Sequence, residues 1–155
     1  MATHQQSSAV ELEVRVAARP ETIFAYFTDP AKMVKWKGTS AELEPKPGGK
    51  YRVVVLPRDI AAGTFVEITP YSRVVFTWGW EGSPLPPGSS TVEITLTPVG
   101  KETVVRLRHT GLPEALRAQH HVGWDHFLAR LVVAASGGDP GRDPWLDNAP
   151  PAHKS

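Results

Sequence analysis

The fold turns on residues 111–138, which read GLPEALRAQHHVGWDHFLARLVVAASGG. Pro113 and Glu114 mark a helix start, because proline suits the first helical position and an acid complements the positive end of the helix dipole. Gly137 marks the stop. The roughly 23 residues between them make a helix about 35 Å long at ~1.5 Å per residue. Leu116, His120, Gly123, Phe127, Leu131 and Ala134 fall close to one line along it, with Trp124 to one side. That apolar stripe needs a cover. His121 and Asp125 form an i,i+4 pair on the opposite side, and His126 points in a third direction.

The cover lies upstream, where the period changes to two. VELEVRV (10–16), SAELEP (40–45), KYRVVVL (50–56), IAAGTFVEI (60–68), RVVFTWGW (73–80), STVEITLTP (90–98) and ETVVRLRHT (102–110) all alternate or run as strands. In RVVFTWGW, Val74, Phe76, Trp78 and Trp80 share one face. In the last two strands Val92, Ile94, Leu96, Val105, Leu107 and His109 share the apolar face, while Thr91, Glu93, Thr95, Arg106 and Arg108 take the other. VGK between them reads as a hairpin turn. Two short helices separate the first strand from the rest. ARPETIFAYF places Ile23, Phe24 and Phe27 on one face, Asp29-Pro30 ends that helix, and AKMVKW (31–36) adds a turn. An antiparallel sheet with one apolar face requires a layer against it, and the long helix is the element that can supply it. The pattern predicts an α+β fold: a curved antiparallel sheet wrapped around one C-terminal helix.

Composition narrows the classes. The chain has 155 residues, 17 Lys+Arg, 16 Asp+Glu and a formal net charge of +1. The basic residues are scattered, so neither nucleic acid nor an anionic membrane is expected as a partner. With no cysteine, disulfides, thiolate zinc sites, iron–sulfur clusters and cysteine nucleophiles are excluded. No apolar run approaches a membrane span. MATHQQSSAV has no basic and apolar signal pattern, so a cytoplasmic protein is expected. The division expected is a flexible N-terminus over residues 1–9, one domain over 10–136 and an irregular Pro- and Gly-rich tail over 137–155, with Trp145 and Leu146 available to dock.

The ordered segments ARPETIFAYFTDPAKMVKW (18–36), PGGKYR (47–52), AGTFVEITPYSRVVFTW (62–78), STVEITLTP (90–98), HTGLP (109–113) and HHVGWDHFLARL (120–131) together resemble the START-like (SRPBCC) superfamily. Within it they are most similar to the bacterial group related to the activator of the 90-kDa heat-shock protein ATPase. The resemblance implies a helix-grip fold with a cavity between sheet and long helix, in which members commonly bind apolar small molecules. Where such relatives often carry two aromatic residues after the second short helix, this chain has Trp36-Lys37, which makes one side of the cavity entrance more polar. The loop EGSPLPPGSS (81–90) is long, and the tail after Gly137 has no counterpart.

Chemical candidates are few. His121 and Asp125 supply two metal ligands where a stable site usually needs three or four, so a solvated pair is the simpler reading. His109 and His120 both lie on inward faces, as ligand contacts, as an acid–base pair, or as core histidines satisfied by neighbours. Glu67 faces inward with Phe65 under strict alternation, unless a bulge near Gly63 reverses it. Gly48-Gly49 lacks the helix and Lys-Ser/Thr of a phosphate loop, and no serine sits in G-x-S-x-G. No cofactor is expected. The reading is a module that binds an apolar or aromatic small molecule in a cavity walled by Trp36, Tyr51, Val53, Phe65, Phe76, Trp78, Val92, Ile94, His109, His120, Gly123, Trp124 and Phe127, as a monomer or homodimer. Two alternatives stay open. One is a cyclase- or aromatase-like enzyme in the same cavity; the other is a co-chaperone-like interaction domain, for which the separate N-terminal domain of the eukaryotic activators has no room here.

Overall fold

In the computed structural model, which describes residues 9–148, the alternating segments join into one sheet. Its strands are β1 (Ala9–Val16), β2 (Ser40–Leu43), β3 (Lys50–Leu56), β4 (Asp59–Thr69), β5 (Arg73–Trp80), β6 (Ser90–Val99) and β7 (Glu102–Thr110). The order is β1-β7-β6-β5-β4-β3-β2, and every pairing is antiparallel. Strands β2 to β7 therefore form a meander, and the first strand pairs with the last. Helices α1 (Pro20–Thr28) and α2 (Pro30–Met33) follow β1, and α3 (Glu114–Ala135) follows β7. Residues 1–8 of the expected flexible N-terminus lie outside the described residues, and Ala9 is already paired with Thr110.

Local chemistry sets the element ends. Pro20 occupies the first turn of α1 with Glu21 beside it, and Asp29 leaves the helix with extended backbone (φ −102°, ψ 120°) ahead of Pro30. The same Asp29 side chain accepts a hydrogen bond from the Ala31 N–H and caps α2 at 3.0 Å. Ile23, Phe24, Tyr26 and Phe27 of α1 are buried. The Tyr26 hydroxyl donates to the Ala134 carbonyl near the end of α3 at 3.1 Å, tying the short helix to the long one.

The alternation of β6 and β7 fixes which face looks inward. Val92 sits opposite His109, Ile94 opposite Leu107 and Leu96 opposite Val105, and all of these are buried. The outer face carries charged cross-strand pairs, a solvated arrangement worth fractions of a kcal/mol each. Arg106 pairs with Glu13 at 2.7 Å, Arg108 with Glu11 at 3.0 Å, and Arg73 with Glu67 at 3.1 Å and Glu93 at 3.2 Å. Glu67 reaches that outer face because the β4–β5 register shifts between Phe65 and Glu67. Phe65 opposes Phe76 and is buried, Val66 is the extra residue and half exposed, and Glu67 opposes Val75. The reversal is thus made by a bulge just after Phe65, a little beyond the Gly63 neighbourhood.

Two segments outside the regular elements are ordered by their contacts. The 81–90 loop folds back on β5: the Trp80 N–H donates to the Leu85 carbonyl at 2.7 Å, and Leu85 is buried. The tail, read from sequence as irregular, contains a short 3-10 turn over Pro144–Leu146. Trp145 stacks on His126 with ring centroids 3.7 Å apart and planes 4° from parallel.

Candidate functional site

The buried face of α3 meets β5 and β7 through aromatic rings. Trp78 packs against Trp80 (5.2 Å between centroids), Trp124 (5.0 Å) and His109 (5.7 Å). Behind them Tyr51 stacks on Phe76 at 4.1 Å with an interplanar angle of 13°. Against this cluster lies a small, partly open cavity of about 20 Å³, room for about one water molecule. Its wall includes Lys37, Val55, Trp78 and Trp80, with Gln119, His120, Gly123, Trp124 and Phe127 from α3.

Of the residues expected at the cavity, Trp78, His120, Gly123, Trp124 and Phe127 line it. Tyr51, Phe65, Phe76 and His109 belong to the surrounding ring cluster. Val53, Val92 and Ile94 are buried in the same core without bordering the cavity. Trp36 does not border it, though its ring centroid is 5.8 Å from Lys37 Nζ; its indole N–H donates to the Tyr26 carbonyl at 2.9 Å, and its ring meets Phe27 edge-on.

Lys37 is where sequence and structure part. The residue expected to make the entrance more polar is instead an interior residue, 2% exposed. Its N–H donates to the Met33 carbonyl as the chain leaves α2. The next residue, Gly38, turns at φ +87°, and a Cβ there would collide with the Val54 carbonyl oxygen, so only glycine lets the chain turn this tightly against β3. The turn directs the Lys37 side chain into the ring cluster. Nζ lies 4.1 Å from the Trp78 ring centroid and 4.2 Å from that of Trp124. It donates to the Tyr51 hydroxyl at 3.2 Å, and no carboxylate pairs with it among the described residues. Burial pushes its amine well below the usual lysine range. The two ring faces favour the charged form by about 0.5–2 kcal/mol apiece, whereas desolvating an unpaired ammonium costs several kcal/mol. Burial therefore shifts the balance toward the neutral amine. Burial also raises the Tyr51 phenol, which stays protonated.

The two histidines are each satisfied on both ring nitrogens. Trp124 Nε1–H donates to His109 Nδ1 at 3.0 Å. The Ser90 hydroxyl gives its proton to the Trp78 carbonyl, so it accepts from His109 Nε2–H at 2.8 Å. Trp80 Nε1–H donates to His120 Nε2 at 2.9 Å, which leaves the Nδ1–H of His120 to donate to the Leu116 carbonyl at 2.8 Å. Burial first, then the neighbouring His120 and Lys37, hold His109 well below the ordinary histidine range. Burial likewise lowers His120, against the opposing pull of the Leu116 bond. Both rings are neutral braces across the helix–sheet contact. Neither has a lone pair or proton to spare for acid–base chemistry. By contrast the indole N–H of Trp78 is buried with no hydrogen-bond partner, an omission that costs about 1–3 kcal/mol.

Other candidates fall away from the cavity. His121 and Asp125 are exposed on the outer side of α3, and no group of three metal-ligating side chains converges among the described residues. His126 bonds Asp143 at 2.8 Å beneath the docked tail. No helix among the described residues is long and apolar enough to cross a membrane.

The sheet order, the two short helices and the long helix with its ring-filled interior define a helix-grip protein. Residues 17–136 match the family model described as Activator of Hsp90 ATPase homolog 1-like protein, and the chain belongs to that family. Among solved structures it is similar to an AHSA1-like protein of Rhizobium etli, with 47% identity, coverage of 88% of this chain and 87% of that one, and a TM-score of 0.71. It is similar also to DynU16, a protein of the dynemicin biosynthetic locus, at 26% identity and TM-score 0.77, covering 88% of this chain but spanning only 50% of that one. The fold is shared with the Aha1 dimer of Colwellia psychrerythraea, at 19% identity and TM-score 0.74, covering 84% of this chain and 97% of that one. No curated protein matches the chain.

Proposed function

We propose that this protein binds a small apolar or aromatic molecule between its sheet and α3, with a polar acceptor on the ligand set against Lys37 and Trp78. The observation that carries this reading is an unsatisfied polar pair inside an aromatic core. Lys37 makes one side-chain hydrogen bond and Trp78 Nε1–H makes none. Buried polar groups are normally paired, and a ligand acceptor would complete both. The rings of Trp78 and Trp124 supply the flat apolar walls that such pockets use. A cavity of about 20 Å³ is far below the ~300 Å³ of small-molecule pockets, so the ligand enters by displacing side chains. Binding must therefore move tryptophans and change their fluorescence.

Native mass spectrometry of gently purified protein, repeated after denaturation, tests the reading. A retained mass released on unfolding supports it. An empty protein whose tryptophan emission also ignores a panel of millimolar aromatic alcohols, aldehydes and acids sinks it. A chaperone-activating role is the second reading, favoured by the family match over residues 17–136. Failure to stimulate the ATPase of a 90-kDa heat-shock protein removes it.

A further inference from the structure

Lys37 has the geometry of a reactive amine rather than a charge partner. It is the only buried lysine among the described residues, and no carboxylate neutralises it. Its neighbours are Tyr51 from β3, Trp78 from β5 and Trp124 from α3, with Nζ bonded to the Tyr51 hydroxyl at 3.2 Å. The nearby titratable groups on β7 and α3 are His109 and His120, whose ring nitrogens are already used. An anion-binding lysine keeps its charge and meets its ligand from a hydrated mouth. This one lies in an aromatic interior, where burial favours the free amine, the setting that activates lysine toward carbonyl carbon.

We propose that Lys37 forms a Schiff base with an aldehyde or ketone carried by the bound apolar molecule. This deepens the binding reading above and rests on it. The Nζ lone pair attacks the carbonyl carbon and the C=O π pair moves to oxygen. The Tyr51 hydroxyl relays a proton from the newly cationic nitrogen to that oxygen, ending protonated as it began, and a carbinolamine results. Loss of the hydroxyl as water, with the second nitrogen proton, closes the C=N bond. Amine plus carbonyl thus become imine plus water, with no oxidant or reductant. The unpartnered N–H of Trp78 is a donor for the developing oxygen anion.

The test uses the full chain at neutral pH, with benzaldehyde and cyanoborohydride to trap any imine as a stable benzyl amine. Benzyl alcohol, which lacks the carbonyl, serves as the non-covalent control read by tryptophan fluorescence. Peptide mapping should place the first benzyl group on Lys37, ahead of the exposed lysines by roughly tenfold or more, since an ordinary lysine of pKa about 10.4 is almost wholly protonated at pH 7. The Lys37→Met variant should lose that adduct while its exposed lysines label as they do in the unaltered protein. Labelling of exposed lysines only, with benzyl alcohol still perturbing the tryptophans, overturns the Schiff-base role and leaves the binding reading standing. Tighter binding of benzoate than of benzaldehyde, without an adduct, overturns it in favour of a charge partner. No response to any of these probes removes both readings.

Discussion

Replacing Lys37 by methionine should make the folded protein more stable at neutral pH, and the gain should fade as pH rises. The structure gives the reason. Lys37 is 2% exposed, bonded only to a phenol, and its amine is held well below the usual range by burial. In the unfolded chain the same amine has a pKa of about 10.4 and binds a proton throughout the neutral range. Below that pKa the unfolded state holds more protons than the folded one, so stability rises with pH at up to about 1.4 kcal/mol per unit. Releasing the proton at pH 7 costs about 5 kcal/mol on that scale. Methionine has no proton to lose. It forfeits the Tyr51 bond and leaves that hydroxyl unpaired, a loss of about 1–3 kcal/mol. The variant should therefore lead by about 2–4 kcal/mol at pH 7, and by about 3 kcal/mol less at pH 9.5. Stopping near pH 9.5 avoids Tyr51, whose raised phenol pKa makes its contribution fall off only as unfolded tyrosines ionise near pH 10. His109 and His120 are present in both proteins, so their titration in the unfolded chain cancels in the difference. Urea unfolding of both proteins at four pH values, read by far-ultraviolet circular dichroism, measures the gap. A gap that stays constant from pH 7 to 9.5 would mean that Lys37 is charged in the fold, and would refute both the neutral amine and the chemistry built on it.

Three further outcomes follow from the same contacts. Burial lowers both His109 and His120, so the unfolded chain protonates first and stability should fall as pH drops below about 6.5, by up to about 1.4 kcal/mol per unit for each ring; His109→Gln should remove one ring's share from thermal melts taken between about pH 7.5 and 5. Trp124→Ala deletes a buried ring that touches Trp78 and donates to His109, so it should cost about 3–5 kcal/mol, and indole should raise the variant's melting temperature more than the wild type's. Arg130 donates to the carbonyls of Trp36, Pro140 and Gly141; Arg130→Ala should open residues 139–147 to limited proteolysis and cost about 1–3 kcal/mol, and an equally resistant tail would show that the Trp145 stack holds it alone.

The parts of the molecule that were legible are those where one physical contrast repeats. β6 and β7 alternate between a core and a charged solvated face, so Ile94 and Leu107 could be assigned inward and Arg106 and Arg108 outward from period alone. The stripe from Leu116 to Ala134 on α3 is fainter, because Val122 and Val133 lie exposed on the outer side while His120 is buried on the inner one. What could not be read depends on partners distant in sequence. The His120–Trp80 bond spans 40 positions and the Lys37–Tyr51 bond spans 14, and neither has a local signature. The bulge at Val66 exists only as a mismatch between β4 and β5. Lys37 is the hardest case, because a lysine is almost always exposed and only the Gly38 turn, seen in three dimensions, drives it inward.

That difference bears on function. The fold follows rules that most residues obey, and the candidate site consists of the residues that break them. Every polar ring nitrogen of His109 and His120 is paired, as a core requires. Against that background an unpaired indole N–H and a nearly unpaired amine in one ring cluster are costly exceptions. A core selected for stability alone would place leucine or methionine at position 37 and leave no donor idle. Local rules broken without a structural gain are the expected marks of a working site. Arg117 Nε and Asp143 Oδ2 are also buried without a hydrogen-bond partner, but they lie away from the cavity; only at the cavity wall do an idle donor, Trp78 Nε1, and a buried amine, Lys37, stand together among the described residues.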